Sequence, residues 1–101
     1  MTSHKQAWTK GPWFYGQESI DPEWYIVTIE GGLIVANVNA HHHQAGNAAL
    51  ISAAPEMYEA LKRAEIAVQE LCNDQHPGNE CWNILREIRA ALTKAEGGKD
   101  V

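Results

Sequence analysis

The chain has 101 residues, of which 45% are hydrophobic and 21% charged, the balance of one soluble globular domain and not of a disordered chain. Its formal net charge of −5 argues against non-specific DNA binding or an anionic-membrane partner, because both draw their affinity from clustered cations. No apolar run approaches the roughly 18–20 residues needed to span a bilayer. The opening MTSHKQAWTKGPW lacks the apolar stretch of a signal peptide, so a protein of the cytoplasm is expected.

A single domain, 1–101, is expected, with 1–11 and 97–101 flexible at its ends. Composition changes once, near residue 40: aromatic, β-branched and Gly residues come before it, and Ala, Leu, Glu and Lys after it. That order predicts an α+β fold. A small antiparallel three-stranded sheet occupies the N-terminal half, packed with a short helix and an antiparallel helical hairpin from the C-terminal half.

In chain order, Gly11-Pro12 predicts an extended start, and residues 12–17 read as an edge strand. Trp24 to Glu30 and Leu33 to Val38 flank Gly31-Gly32, which predicts a two-residue hairpin turn, since tight turns need positive φ. That turn sets Ile29 opposite Ile34, Val27 opposite Ala36 and Tyr25 opposite Val38. One face then carries Tyr25, Val27, Ile29, Ile34, Ala36 and Val38 as the core. The other carries Trp24, Ile26, Thr28, Leu33, Val35 and Asn37, too apolar to face water, which predicts a cover: a second subunit, a ligand or the N-terminal segment.

Residues 44–53 predict a short helix, and Pro55 suits the first turn of a longer one. Met57, Leu61, Ala64, Val68 and Leu71 recur at helical spacing, as do Cys81, Leu85, Ile88, Leu92 and Ala95 after the Pro77-Gly78 loop. Two such stripes predict an antiparallel helical hairpin with both stripes in its core.

Chemistry-bearing motifs are sparse. His41-His42-His43 has no ligand spacing that converges, so no metal site is expected, and His42 remains a candidate ligand or phosphate contact. Cys72 and Cys81 flank the loop with His76 between them. In the cytoplasm they read as two reduced thiols, with a disulfide or a metal as the alternatives. No P-loop, nucleophile elbow or Cys-His arrangement is present, so no catalytic residue, no cofactor and no enzyme activity is expected. Trp8, Trp13, Phe14, Tyr15, Trp24 and Tyr25 crowd the first quarter. Some must build the sheet's core, and the remainder can stack on bases or anchor a protein interface. Lys5, Lys10, Lys62, Arg63, Arg86 and Arg89 could meet phosphate, and Asn37, Asn39 and Asn47 could meet base edges.

Gly11-Pro12-Trp13, the hairpin and the segment Asn47 to Lys62, NAALISAAPEMYEALK, resemble short phage and prophage accessory proteins that share a GPW start and an NAxLIxAAPExxxALK segment. The resemblance implies a phage protein acting in the host cytoplasm, where many such proteins counter host defences. Two functions follow as expectations. The first is a non-catalytic, homo-oligomeric protein that sequesters a small (cyclic) nucleotide signal between subunits, with Trp13, Tyr15, Trp24, Asn37, His42, Asn47 and Arg63 as ligand-binding candidates. The second is an inhibitor docking on a host defence protein, as anti-CRISPR proteins do. There Glu18, Asp21, Glu23, Glu59, Glu65 and Glu70 would offer an acidic surface.

Overall fold

A computed structural model describes residues 8–19, 24–39 and 43–97. The expected α+β order is present: β1 (Trp13–Gln17), β2 (Tyr25–Ile29), β3 (Ile34–Val38), α1 (Gln44–Ser52), α2 (Ala54–Cys72) and α3 (Glu80–Ala95). The chain divides into two compact units, Met1–Glu56 and Met57–Val101.

The first unit is an antiparallel sheet of order β1-β2-β3 with α1 packed on one face. Its core is Val27, Val38 and Ala48, with Trp13, Tyr25, Val35, Ala36 and Ile51 packed around it. The small Ala48 lets the helix approach the β-branched side chains of β2 and β3 closely.

The turn differs from expectation. Gly32 N donates to Ile29 O (2.9 Å) and Ile29 N to Leu33 O (3.0 Å), so the connection has three residues, Glu30, Gly31 and Gly32. Gly31 and Gly32 both take positive φ, 96° and 88°, which is why glycines stand there. The extra loop residue is absorbed by a bulge. Tyr25 pairs with Val38 and Val27 with Ala36 as expected, but Thr28 pairs with Ile34, leaving Val35 as the extra residue on β3.

A bulge exchanges faces beyond it, because strand side chains alternate with period two. Val35, expected on the second face, packs against the core. Ile34, expected in the core, is 52% exposed. Register with β1 places Phe14 opposite Thr28 and Gly16 opposite Ile26, so the face away from α1 carries Phe14, Ile26, Thr28, Ile34 and Asn37.

The second unit is the helical hairpin. Asn79 caps α3, its side-chain oxygen accepting from Cys81 N at 2.9 Å, while Glu80 and Lys94 suit the ends of the helix dipole. Three cross-links set the pairing level by level. Tyr58 Oη donates to a Glu96 carboxylate oxygen, Arg89 Nε meets Glu65 Oε2 at 3.1 Å, and Cys72 is disulfide-bonded to Cys81, Cα atoms 5.7 Å apart. The expected reduced thiols are therefore replaced by a pair across the mouth of the loop.

On α3 the seam is as expected, with Leu85 and Leu92 buried and Cys81 and Ile88 half-buried, although Ala95 is exposed. On α2 the expected seam is kept at Leu61, Ala64 and Val68, which are half-buried, but its two ends are shifted by one residue. Cys72 is fully buried while Leu71 is 69% and Met57 47% exposed. The positions turned inward are Tyr58, Leu61, Glu65, Val68 and Cys72. Two apolar stripes lie one residue apart on α2, and the bonds of Tyr58, Glu65 and Cys72 to α3 choose between them.

Candidate groove beside the edge strand

The third strand ends in Asn37 and Val38, with Asn39 just beyond it, and α1 presents Asn47, Leu50 and Ile51 at the i, i+3, i+4 spacing that puts them on one helix face. These six residues line an open groove of about 300 Å³ in the first unit. β3 is an outer strand of the sheet, so its outward backbone groups have no strand partner among the described residues.

Each wall has a local cause. Asn47 N donates to His43 O (2.8 Å), the first turn of α1, which fixes the Asn47 side chain at the helix's start. Gln44 Nε2 donates to Asn39 Oδ1 at 3.2 Å and ties the loop end of β3 to α1. Val38 and Ile51 form the apolar floor as extensions of the core, and Leu50 is an exposed lip. The groove therefore combines aliphatic surface with Asn37, Asn39 and Asn47 along its lining, Asn37 reaching it from the strand edge because its position on β3 faces away from α1. None of its lining residues carries a charge.

Of the sequence-derived candidates, Asn37 and Asn47 meet here, and Asn39 joins them. The others lie elsewhere. Trp13 packs against the core, its Nε1 donating to Thr9 O at 3.1 Å. Tyr15 is half exposed on β1 opposite Val27, separated from β3 by the whole of β2. Trp24 precedes β2, half-buried, and its carbonyl accepts from Glu18 N at 2.8 Å. Arg63 is an exposed residue of α2 in the second unit, which also holds Lys62, Arg86 and Arg89. His42, like Asp21 and Glu23, lies outside the described residues. Glu65 is not free acidic surface, since it pairs with Arg89. Among the described residues no group of three or more His, Cys, Asp or Glu gathers as a metal site, and no helix is long and apolar enough to cross a membrane.

Sequence reasoning missed Leu50 and Ile51. Their spacing from Asn47 was the available signal, since it places an amide and two aliphatic groups on one side of α1.

Residues 1–99 match the family model described as Salmonella phage P22 protein Y8K6. No curated protein and no solved structure matches the chain.

Proposed function

The chain belongs to the Salmonella phage P22 protein Y8K6 family, and from that premise we propose that it is a non-catalytic phage binding protein that sequesters a small (cyclic) nucleotide signal of the host. The groove beside β3 takes the base. The observation that carries this reading is that Asn37, Asn39 and Asn47 line one groove with Val38 and Ile51. A base is a flat apolar plate with a polar edge, and an asparagine amide matches an adenine edge with one donor and one acceptor. A volume of about 300 Å³ is at the small end of ligand sites. It suits a single base and leaves the charged phosphate outside, in keeping with the uncharged lining.

The test is depletion of free ligand. The purified protein is incubated with a panel of cyclic mono- and dinucleotides, and the unbound fraction is measured before and after heat denaturation. A ligand that is held and then released supports the reading, and Asn37→Ala and Asn47→Ala each weaken it by about tenfold, the scale of one lost hydrogen-bonding group. No depletion at micromolar protein overturns it.

A second reading, docking on a host defence protein, is favoured by a different observation. The sheet face away from α1 presents Phe14 and Ile34, each about half exposed, with no charged residue among its strand positions. Exposed apolar area of that kind marks interaction surfaces. A stoichiometric protein recovered on the immobilised chain, lost on Phe14→Glu, distinguishes docking from sequestration.

A further inference from the structure

We propose that the helical hairpin is half of a four-helix bundle, completed by a second copy of this chain. The three cross-links described above fix which broad face of the hairpin is which. Arg89 reaches Glu65 and Gln69, and Tyr58 reaches Glu96, all on one broad face, which is polar.

The other broad face is mostly apolar. On α2 the residues one position before each seam residue are Met57, Ala60, Ala64, Ala67 and Leu71, an uncharged stripe displaced by about 100° from the seam. On α3 the displacement in the same sense gives Glu80, Ile84, Glu87, Ala91 and Ala95, so two glutamates interrupt the apolar positions there. In antiparallel helices equal displacements along the sequence fall on the same side of the seam, so the two stripes form one continuous face. Leu71 is 69%, Met57 47% and Ile84 44% exposed, and Ala60, Ala67, Ala91 and Ala95 are exposed beside them. Alanines let a facing helix approach closely, and the larger side chains at the two ends supply knobs to interdigitate.

Size and charge indicate the occupant. A helix of 16 residues is about 24 Å long, and two side by side are roughly 20 Å wide. Two such faces closing together bury about 1,000 Å², near the minimum for a specific interface. A chain of net charge −5 resists self-association wherever like charges meet, so Glu87 on this face needs a cation opposite it, while Glu80 stands at its end in the first turn of α3. Arg63 on the outer edge of α2 is such a cation, and both it and Glu87 are exposed. A two-fold axis parallel to the helices lays α2 of one copy over α3 of the other. It brings Arg63 to within about 6 Å, measured along the axis, of Glu87 of the second copy, so the rims are complementary twice over.

The full-length chain is examined by sedimentation equilibrium, with circular dichroism confirming that each variant folds. A dimer is expected. Leu71→Glu and Ile84→Glu each raise its dissociation constant by at least about tenfold, whereas Ile66→Glu, an exposed apolar residue of the polar face, leaves it unchanged. Arg63→Glu weakens the dimer and adding Glu87→Arg restores it. Should Leu71→Glu fail to fold, Ala67→Arg carries the same test at a position already exposed. A monomer at high micromolar concentration overturns the proposal. So does a dimer indifferent to these face substitutions, or one broken by Phe14→Glu instead. None of these outcomes depends on nucleotide binding in the groove of the first unit.

Discussion

Gly11 lies so close to the ring of Pro55 that a Cβ built on it would sit 2.9 Å from Pro55 Cβ and 3.0 Å from its Cγ. The two residues belong to the two sequence segments that carry the phage-protein resemblance, GPW and AAPE. Their contact gives a physical reason for finding both in one chain: the glycine is the space into which the proline fits. Pro55 in turn stands in the first turn of α2, where a missing N–H costs nothing. Gly11→Ala therefore overpacks this contact and destabilises the protein by about 1–3 kcal/mol. Gly46→Ala has the opposite sign, since Gly46 lies within α1 with nothing within 4 Å of a new Cβ, and it stabilises by about 0.5–1 kcal/mol. Urea unfolding of the two variants reads both signs.

The bulge on β3 makes a second paired prediction. Val35→Lys places a charge against Val27 and Val38 and costs at least about 2 kcal/mol. Ile34→Lys, one residue earlier on the exposed face, changes stability by roughly 0.5 kcal/mol or less. A regular two-residue hairpin predicts the reverse order, so thermal unfolding of the two variants discriminates the registers.

The Cys72–Cys81 bond closes a loop with a sequence separation of 9. By loop-closure entropy it contributes about 2.5–3 kcal/mol. Reduction, or the double replacement Cys72→Ser and Cys81→Ser, is expected to lower the denaturation midpoint correspondingly. Calorimetry with and without a thiol reductant checks this, and a midpoint unmoved by reductant refutes it.

Tyr58 provides the pH signature. Its hydrogen bond to the Glu96 carboxylate favours the neutral phenol and raises its pKa from 10.0 to about 12, with burial and nearby carboxylates adding in the same direction. A group whose folded pKa is raised stabilises the fold fully below the unfolded value and loses that contribution as pH climbs through the folded one. The contact thus helps up to pH 10 and is lost between 10 and 12. Tyr58→Phe is expected to flatten the fall in stability over that window relative to the parent chain, and to remove a phenolate absorbance step that the parent chain shows near pH 12.

Several structural features were legible in the sequence because they depend on local physics. Gly31-Gly32 announced a reversal, since only glycine takes positive φ cheaply, and the apolar runs around it announced the strands. Pro55 announced a helix start. On α3, where only one apolar stripe runs the full length of the helix, the seam was readable down to Leu85 and Leu92. The groove was half readable: Asn37 and Asn47 were singled out as base-edge candidates, but nothing local brings a strand end beside a helix's first turn.

By itself, then, the sequence determined the α+β order, the three strands, the helical hairpin and the phage-protein kinship, each set by residue types acting within a few positions of one another. Tertiary structure alone decided which neighbour of a close pair turns inward. Ile34 and Val35 are equally apolar, as are the two stripes on α2, and the choice fell to a bulge in one case and to bonds from Tyr58, Glu65 and Cys72 in the other. Where two local solutions have nearly the same burial energy, contacts between residues distant in the chain settle which one is formed.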